Sequence, residues 1–252
     1  MKDLQKASMW KRASAYLFDM ILLATLAVAL GVVLSLLLGY DGYNSTLEAA
    51  YDKYETQFGI QFDMTAEEFA AMTEEQKTLY DQAYDALLKD EEAMFAYNMV
   101  LNLSLIITTL ALLAAYLLLE FMVPLLLKNG QTLGKKIFGV ALIREDGVQL
   151  NTVQLFTRTV LGKFTVETMI PVFVVIMLFF NTADILSLLL LVGLAVGQVI
   201  CLLVTRTNSA IHDKLAGTVA VDFSSQMIFR STEDLIAYKT RIHAEEAAKK
   251  SY

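Results

Sequence analysis

A long apolar run near the amino end constrains this chain more than any other feature. Residues 13–38 contain one charged side chain, Asp19. At about 1.5 Å per residue, a helix of this length can cross a hydrocarbon core of about 30 Å. Three further apolar runs predict spanning helices over residues 100–119, 164–181 and 185–205. The chain is 56% hydrophobic, against about 45–50% for soluble domains, so we expect an all-α membrane protein with a four-helix transmembrane bundle.

Charge divides the chain into two parts of opposite sign. Residues 39–93 carry fourteen acidic and three basic side chains, a net charge of −11, whereas the whole chain has a net charge of −7. Because Lys and Arg are enriched in cytoplasmic loops, this asymmetry predicts cytoplasmic termini and an acidic segment on the other side. The predicted order is a cytoplasmic N-terminus with the first transmembrane helix (1–38), an acidic extracytoplasmic helical insert (39–97), the remaining membrane domain (98–223) and a cytoplasmic amphipathic tail (224–252).

Capping and periodicity signals predict the structure between the spans. Thr65 and Thr73 each begin a capping box, which predicts two short helices in the insert. The second of these, over residues 74–92, has apolar side chains at helical spacing and is expected to continue into the second span. Asn151 can cap a short amphipathic helix that lies on the inner surface, before a third span that Pro171 is expected to kink.

Two segments after the second span have the alternation of β-strands. Residues 137–143 and 218–223 are predicted to pair in a small cytoplasmic β element. A turn at residues 145–147 is expected to lead into a short returning strand at residues 148–150.

The reactive residue types are too few for a recognisable enzyme site. The chain has one cysteine, Cys201, and two histidines, so neither an internal disulfide nor a zinc motif can be assembled. The stretch Gly134-Lys135-Lys136 lacks the glycine and the Ser or Thr that a phosphate-binding loop requires at fixed spacing. We therefore predict that the protein is not an enzyme and has no cofactor, no metal and no nucleic-acid partner.

Several short motifs follow one another in an order that resembles a known family. They are Arg12 and Asp19 in the first span, the turn residues Gly130, Thr132, Gly134 and Lys135, the pair Asp146-Gly147, Arg158, and the closing pairs His212-Asp213 and Gly217-Thr218. Over residues 12–38 and 98–223 the chain resembles the RDD family of bacterial membrane proteins, named for one arginine and two aspartates. The resemblance implies a multi-pass protein of the bacterial cell membrane. Some members are proposed to exchange sodium or other monovalent cations for protons.

The charged motif residues can either act on an ion or hold the helices together. In the first interpretation, Asp19, Asp213 and Glu167 bind a proton or a cation, and Arg12 modulates the Asp19 carboxylate. In the second, a charge cluster of Arg12, Asp19 and Asp213 fastens the cytoplasmic ends of the first and fourth spans. Glu167 can instead pair with Lys163, four residues before it. Both interpretations predict that Arg12, Asp19 and Asp213 lie in one cluster near the inner surface.

Three classes of function fit these features, and all of them have the lipid bilayer as a partner. The first is a transporter or exchanger of monovalent cations and protons, and because four spans are few for a monomeric carrier, it predicts a homo-oligomer. The second is an assembly or accessory protein whose acidic insert and cytoplasmic tail bind partner proteins. The third is a lipid- or stress-related envelope factor, indicated by the basic residues of the inner face.

Overall fold

Four helices that are long and apolar enough to cross a membrane dominate the structure. The computed structural model describes residues 4–179 and 182–250, and the chain is 76% helical. In chain order the elements are α1 (Met9–Leu38), α2 (Tyr40–Phe58), α3 (Ala66–Ala71), α4 (Glu74–Lys89), α5 (Glu91–Leu127), α6 (Leu133–Ile137), β1 (Val140–Arg144), α7 (Thr152–Phe179), α8 (Ile185–Val204), α9 (Ile211–Ala216), β2 (Thr218–Asp222) and α10 (Thr232–Lys250). The spanning helices are α1, α5, α7 and α8, which confirms the predicted all-α membrane protein. The end of the predicted third span, at residues 180–181, lies outside the described residues.

Contacts divide the chain into two compact units. Val28–Ala111 forms one, and the chain before and after it forms the other. In the first unit, α2 is bounded by Gly39 and Gly59, both in the left-handed conformation that glycine adopts readily. The two predicted capping boxes are present, with the hydroxyls of Thr65 and Thr73 accepting hydrogen bonds from exposed N–H groups of α3 and α4.

A single extended residue separates the insert from the second span. Helix α4 ends at Lys89 and α5 begins at Glu91, so the predicted continuous helix is wrong. The backbone of Asp90 is extended, and its carboxylate accepts a 3.1 Å hydrogen bond from the N–H of Ala93 in the first turn of α5. The same carboxylate accepts a 2.9 Å bond from the Tyr54 hydroxyl. Asp90 therefore ends one helix and caps the next.

Two spanning helices change their winding before a proline. Helix α5 is π-helical over Leu117–Met122, and α7 is π-helical over Thr157–Met169. Each π segment ends two residues before one of the chain's two prolines, Pro124 and Pro171. Proline lacks an N–H group and crowds the preceding turn, and the wider π turn accommodates both effects.

The third span is longer than the sequence predicts. Asn151 forms the predicted capping box, but the helix that it starts is α7 itself, which continues to Phe179. The π-helical winding carries the chain without a break through Arg158 and Lys163, and both side chains are buried. The separate surface helix predicted after Asn151 is therefore wrong, because its residues form the first turns of α7, where Leu155 and Arg158 are buried.

The predicted pairing of the two β segments is confirmed. Strands β1 and β2 pair antiparallel over their full lengths. Strand β1 begins later than predicted because the residues before it form α6, whose first turn is capped by the Thr132 hydroxyl. The segment 148–150 forms isolated bridges with Ile143 and Phe229 rather than a returning strand. The sheet therefore holds the ends of the second and fourth spans near each other in the same unit.

Candidate functional site

A buried charge network joins α1, α5, α6, α7 and α9. Its carboxylates are Asp19, Glu120, Glu167 and Asp213, and its bases are Arg12, Lys135, Arg158, Lys163 and His212. Arg158 and Asp213 are each 2% exposed, and Glu120 is 4% exposed. Charges removed from water in this way are tolerated only when they are paired and hydrogen-bonded. The partners of each group therefore determine what the network can do.

The first part of the charge network connects α1 to the turn before α6. One oxygen of Asp19 accepts a short hydrogen bond from the Thr132 hydroxyl, and the other accepts a 2.7 Å bond from the N–H of Gly134. The Lys135 ammonium lies 3.5 Å from the Asp19 carboxylate. A side chain at position 134 would place its Cβ 2.5 Å from the carbonyl oxygen of Ala15, so the close approach of α6 to α1 requires glycine.

The second part is centred on Arg158 in the π segment of α7. Its Nε donates a 2.9 Å hydrogen bond to Asp213, and its Nη2 lies 2.9 Å from Nε2 of His212. Arg12 lies on the other side of Asp213, with its Nη2 3.9 Å from the carboxylate. Burial acts to raise the pKa of Asp213, but the neighbouring His212 and the guanidinium groups of Arg158 and Arg12 outweigh it and hold that pKa well below its usual range.

The tautomer of His212 follows from its partners. A guanidinium group can only donate, so Nε2 of His212 is the acceptor of the bond from Arg158. Nδ1 then carries the proton and donates a 2.7 Å hydrogen bond to Glu167, which also accepts a 3.0 Å bond from the His212 backbone N–H. Burial is the largest influence on this imidazole and lowers its pKa, with Arg158 and Lys163 acting in the same direction. His212 is therefore neutral in the charge network.

The third part pairs α5 with α7 and is incompletely satisfied. Lys163 donates a 2.6 Å hydrogen bond to Oε1 of Glu120, and Thr159 donates to the Glu120 carbonyl oxygen at 3.0 Å. The other carboxylate oxygen, Oε2, lies 3.8 Å from Nη1 of Arg158. Among the described residues, neither of these two buried atoms has a hydrogen-bond partner. A space beside Glu120 and Asp19 is too narrow for a water molecule.

The three residues of the predicted cluster all belong to the charge network, but they have different direct partners. Arg12 contacts Asp213, whereas Asp19 is held by Thr132, Gly134 and Lys135. The physical reason is the seven-residue separation of Arg12 and Asp19, which places them about 10 Å apart along α1. The predicted alternative pairing of Glu167 with Lys163 is wrong, because Glu167 bonds to His212 and Lys163 bonds to Glu120. The wider turns of the π segment direct Lys163 to Glu120 and leave Glu167 to His212.

Comparison with known proteins identifies the family. A model of the RDD family matches residues 6–217. The chain belongs to the RDD family. No curated protein and no solved structure matches the chain. Together with its apolar helices, the family match makes this RDD protein an integral membrane protein with several spans.

Several motif residues of this RDD protein lie in the charge network or bond to it. Thr132, Gly134 and Lys135 surround Asp19, and Arg158 bonds to Asp213. In this turn, Gly130 has a positive φ of 65°, a conformation that favours glycine. In the described residues, no group of three or more His, Cys, Asp or Glu side chains is placed to hold a metal ion.

Sequence reasoning missed the central position of Glu120 and Lys163 in this RDD protein. Their positions near the ends of apolar runs favour the membrane edge, but Glu120 is 4% exposed and Lys163 is 5% exposed. A sequence signal does exist. Arg158 and Lys163 are five residues apart in a stretch that precedes Pro171, and hydrogen bonds in a π-helix join residues at that separation.

Proposed function

We propose that this RDD protein is a non-transporting membrane assembly or accessory protein whose charge network is structural. One observation carries the proposal, namely that each of the four carboxylates is bonded to a partner on another element. Removing one partner from such a pair leaves an uncompensated buried charge, which costs about 3–5 kcal/mol. The charge network therefore favours one arrangement of the helix ends that it joins.

The acidic insert supports the accessory part of the proposal. Its net charge of −11 is that of a surface that attracts basic partners. A groove of about 620 Å³ runs between the end of α2 and the start of α4. Its apolar lining includes Ile60, Met64, Met72 and Leu79. An acidic surface with an apolar groove fits a protein partner that presents basic and apolar side chains together.

We place the protein in the bacterial cell membrane with both termini in the cytoplasm and the insert outside. The excess of Lys and Arg outside the insert supports this orientation, as does the even number of spans. The exposed positions Ser45, in α2, and Ser224, after β2, allow a direct test. In intact cells, an impermeant maleimide is expected to label Ser45→Cys but not Ser224→Cys, and it labels both after lysis. The reverse pattern would overturn the orientation.

Purified protein in liposomes that enclose a pH-sensitive dye tests the proposed absence of transport. We expect no sodium-dependent proton flux from the wild type, and a lower unfolding temperature for Asp19→Asn. The reason for the lower temperature is that the amide leaves Lys135 without its carboxylate partner. Asp41→Asn, an exposed change in α2, serves as the matched control and is expected to leave the unfolding temperature unchanged.

A second candidate function, exchange of monovalent cations for protons, is favoured by the incomplete pairing in the charge network. Glu120 Oε2 and Arg158 Nη1 are buried, and no hydrogen-bond partner for either lies among the described residues. A buried polar group without a partner is a place where a proton or an ion can bind and leave. This function requires a homo-oligomer, since four spans are few for a carrier. It predicts sodium-dependent proton flux in liposomes that is lost in folded Asp19→Asn, a result that would overturn the non-transporting proposal.

A further inference from the structure

Of the two lysines in the charge network, Lys135 lies outside the spanning helices, whereas Lys163 belongs to α7. It belongs to α6, a helix of five residues that follows the second span. The residue is only 8% exposed, whereas the next residue, Lys136, is exposed. Two adjacent lysines on one short helix thus occupy opposite environments, and the chain itself supplies a matched pair for experiment.

The Lys135 ammonium is loosely held compared with the other lysine of the charge network. It donates to the Thr132 hydroxyl oxygen at 3.1 Å, and Asp19 lies farther away at 3.5 Å. The Thr132 hydroxyl gives its own proton to Asp19, so its oxygen is free to accept from Lys135. Lys163, in contrast, donates to Glu120 at 2.6 Å. An ammonium has three N–H groups, and at Lys135 one of them has an acceptor within hydrogen-bond distance among the described residues.

Charged groups face the Lys135 ammonium from three spanning helices. Asp19 faces it from α1, Glu120 from α5, and Arg158 and Lys163 from α7. Burial opposes the charged form most strongly, and the two neighbouring cations oppose it further. The two carboxylates favour the charged form but do not compensate, so the pKa of Lys135 is lowered to about 8.

We propose that Lys135 is a proton-binding site, which alternates between an ammonium held by Thr132 and Asp19 and a neutral amine in the same position. On release, an N–H bond of the ammonium breaks, the electron pair stays on Nζ, and the proton passes to water or buffer. The amine can still donate to the Thr132 oxygen, so the turn keeps this contact. The charge network has four carboxylates and four permanent or ammonium cations while His212 is neutral, and release leaves one negative charge uncompensated.

Nitrogen NMR of the full-length protein in detergent, with the lysine side chains labelled with ¹⁵N, measures this site directly. We expect one lysine Nζ signal to titrate with a midpoint near pH 8, against about 10.4 for exposed lysines. This signal should be absent in Lys135→Met and unchanged in Lys136→Met. The measurement does not depend on whether the protein transports ions.

Two further variants keep the test decisive if Lys135→Met does not fold. Lys135→Arg retains a cation at the site and is also expected to remove the titrating signal. Glu120→Gln removes a facing carboxylate that favours the ammonium, so it should move the midpoint to lower pH. The proposal is overturned if no lysine signal titrates below pH 9.5, or if the signal near pH 8 persists in Lys135→Arg.

Discussion

Charged side chains are buried and paired in the charge network, whereas most of those in the acidic insert face solvent. In the network, each buried carboxylate is matched by a base from another element. In the insert, fourteen acidic side chains share three basic ones, and most of them face solvent. Water stabilises an isolated carboxylate, whereas a low-dielectric interior does not. The comparison teaches that charge in this protein joins the spanning helices where solvent is excluded, whereas in the insert most charged side chains are stabilised by water.

Asp90 is intermediate between the buried carboxylates of the charge network and the exposed carboxylates of the insert. Its backbone bond from Ala93, together with Lys53 and Tyr54, lowers the pKa of this partly exposed carboxyl to about 2. One of these contacts caps α5, the other two join Asp90 to α2, and all three are at least partly open to solvent. The predicted free-energy changes therefore decrease from the charge network to Asp90 and then to the remaining surface of the insert.

The largest effect is expected for Arg158→Met. The change removes the bond to Asp213 and the bond to His212, so it leaves a buried carboxylate without its main partner. We expect the free energy of unfolding in detergent to fall by about 3–5 kcal/mol, measured by denaturant titration. The matched control is Arg144→Met, which removes a half-exposed pair with Asp146 and should cost less than about 1 kcal/mol. Equal losses of unfolding free energy for the two variants would contradict the difference between buried and solvent-accessible charge pairs.

A smaller loss is expected for Gly134→Ala. The new Cβ would lie 2.5 Å from the Ala15 carbonyl oxygen and 2.9 Å from the Asp19 carboxyl group, so α6 must move away from α1. Overpacking of this kind costs about 1–3 kcal/mol. Gly193→Ala in α8 is the control, because among the described residues no atom outside its neighbours and its own helix backbone lies within 4 Å of its Cβ position. If thermal unfolding temperatures of the two variants agree, the close contact of α6 with α1 is not formed.

The pH dependence of stability should report the neutral state of His212. Its pKa is lowered in the folded protein, so below about pH 6.5 the unfolded chain binds more protons than the folded chain. The free energy of unfolding is therefore expected to fall as the pH drops from about 6.5, with a limiting slope of about 1.4 kcal/mol per pH unit. His212→Gln should reduce this slope, whereas His243→Gln, at an exposed position, should not. If His212→Gln leaves the slope unchanged, the folded protein binds a proton at His212 as readily as the unfolded chain does.

The smallest effects are expected in the insert. Asp90→Asn weakens the cap of α5 and the pair with Lys53, and it should cost about 1 kcal/mol. Glu67→Gln changes an exposed side chain of α3 and should alter stability by less than about 0.5 kcal/mol. Both can be measured by thermal unfolding in detergent. A loss for Glu67→Gln as large as that for Arg158→Met would remove the distinction between the two regions.

Local signals in the sequence were enough to predict much of the fold. The apolar runs predicted the spans because length and hydropathy decide membrane insertion, and Thr65, Thr73 and Asn151 predicted helix starts because a cap acts on adjacent residues. The partners of the charged side chains could not be predicted in the same way. Asp19 bonds to a turn more than one hundred residues away, and that choice depends on how closely two backbones approach at Gly134.

The π segments before the two prolines also set the direction in which the later side chains of each helix point. One additional residue in a wider turn rotates the helix face that follows by about 100° relative to a continuous α-helix. In α5 and α7, the face that contacts lipid in one part of the helix and the face that carries charge in another part can therefore point in different directions. Substitutions of Pro124 or Pro171 that restore regular winding would shift the phase of every side chain beyond them. The helices would still insert, but their polar ends would point in a different direction.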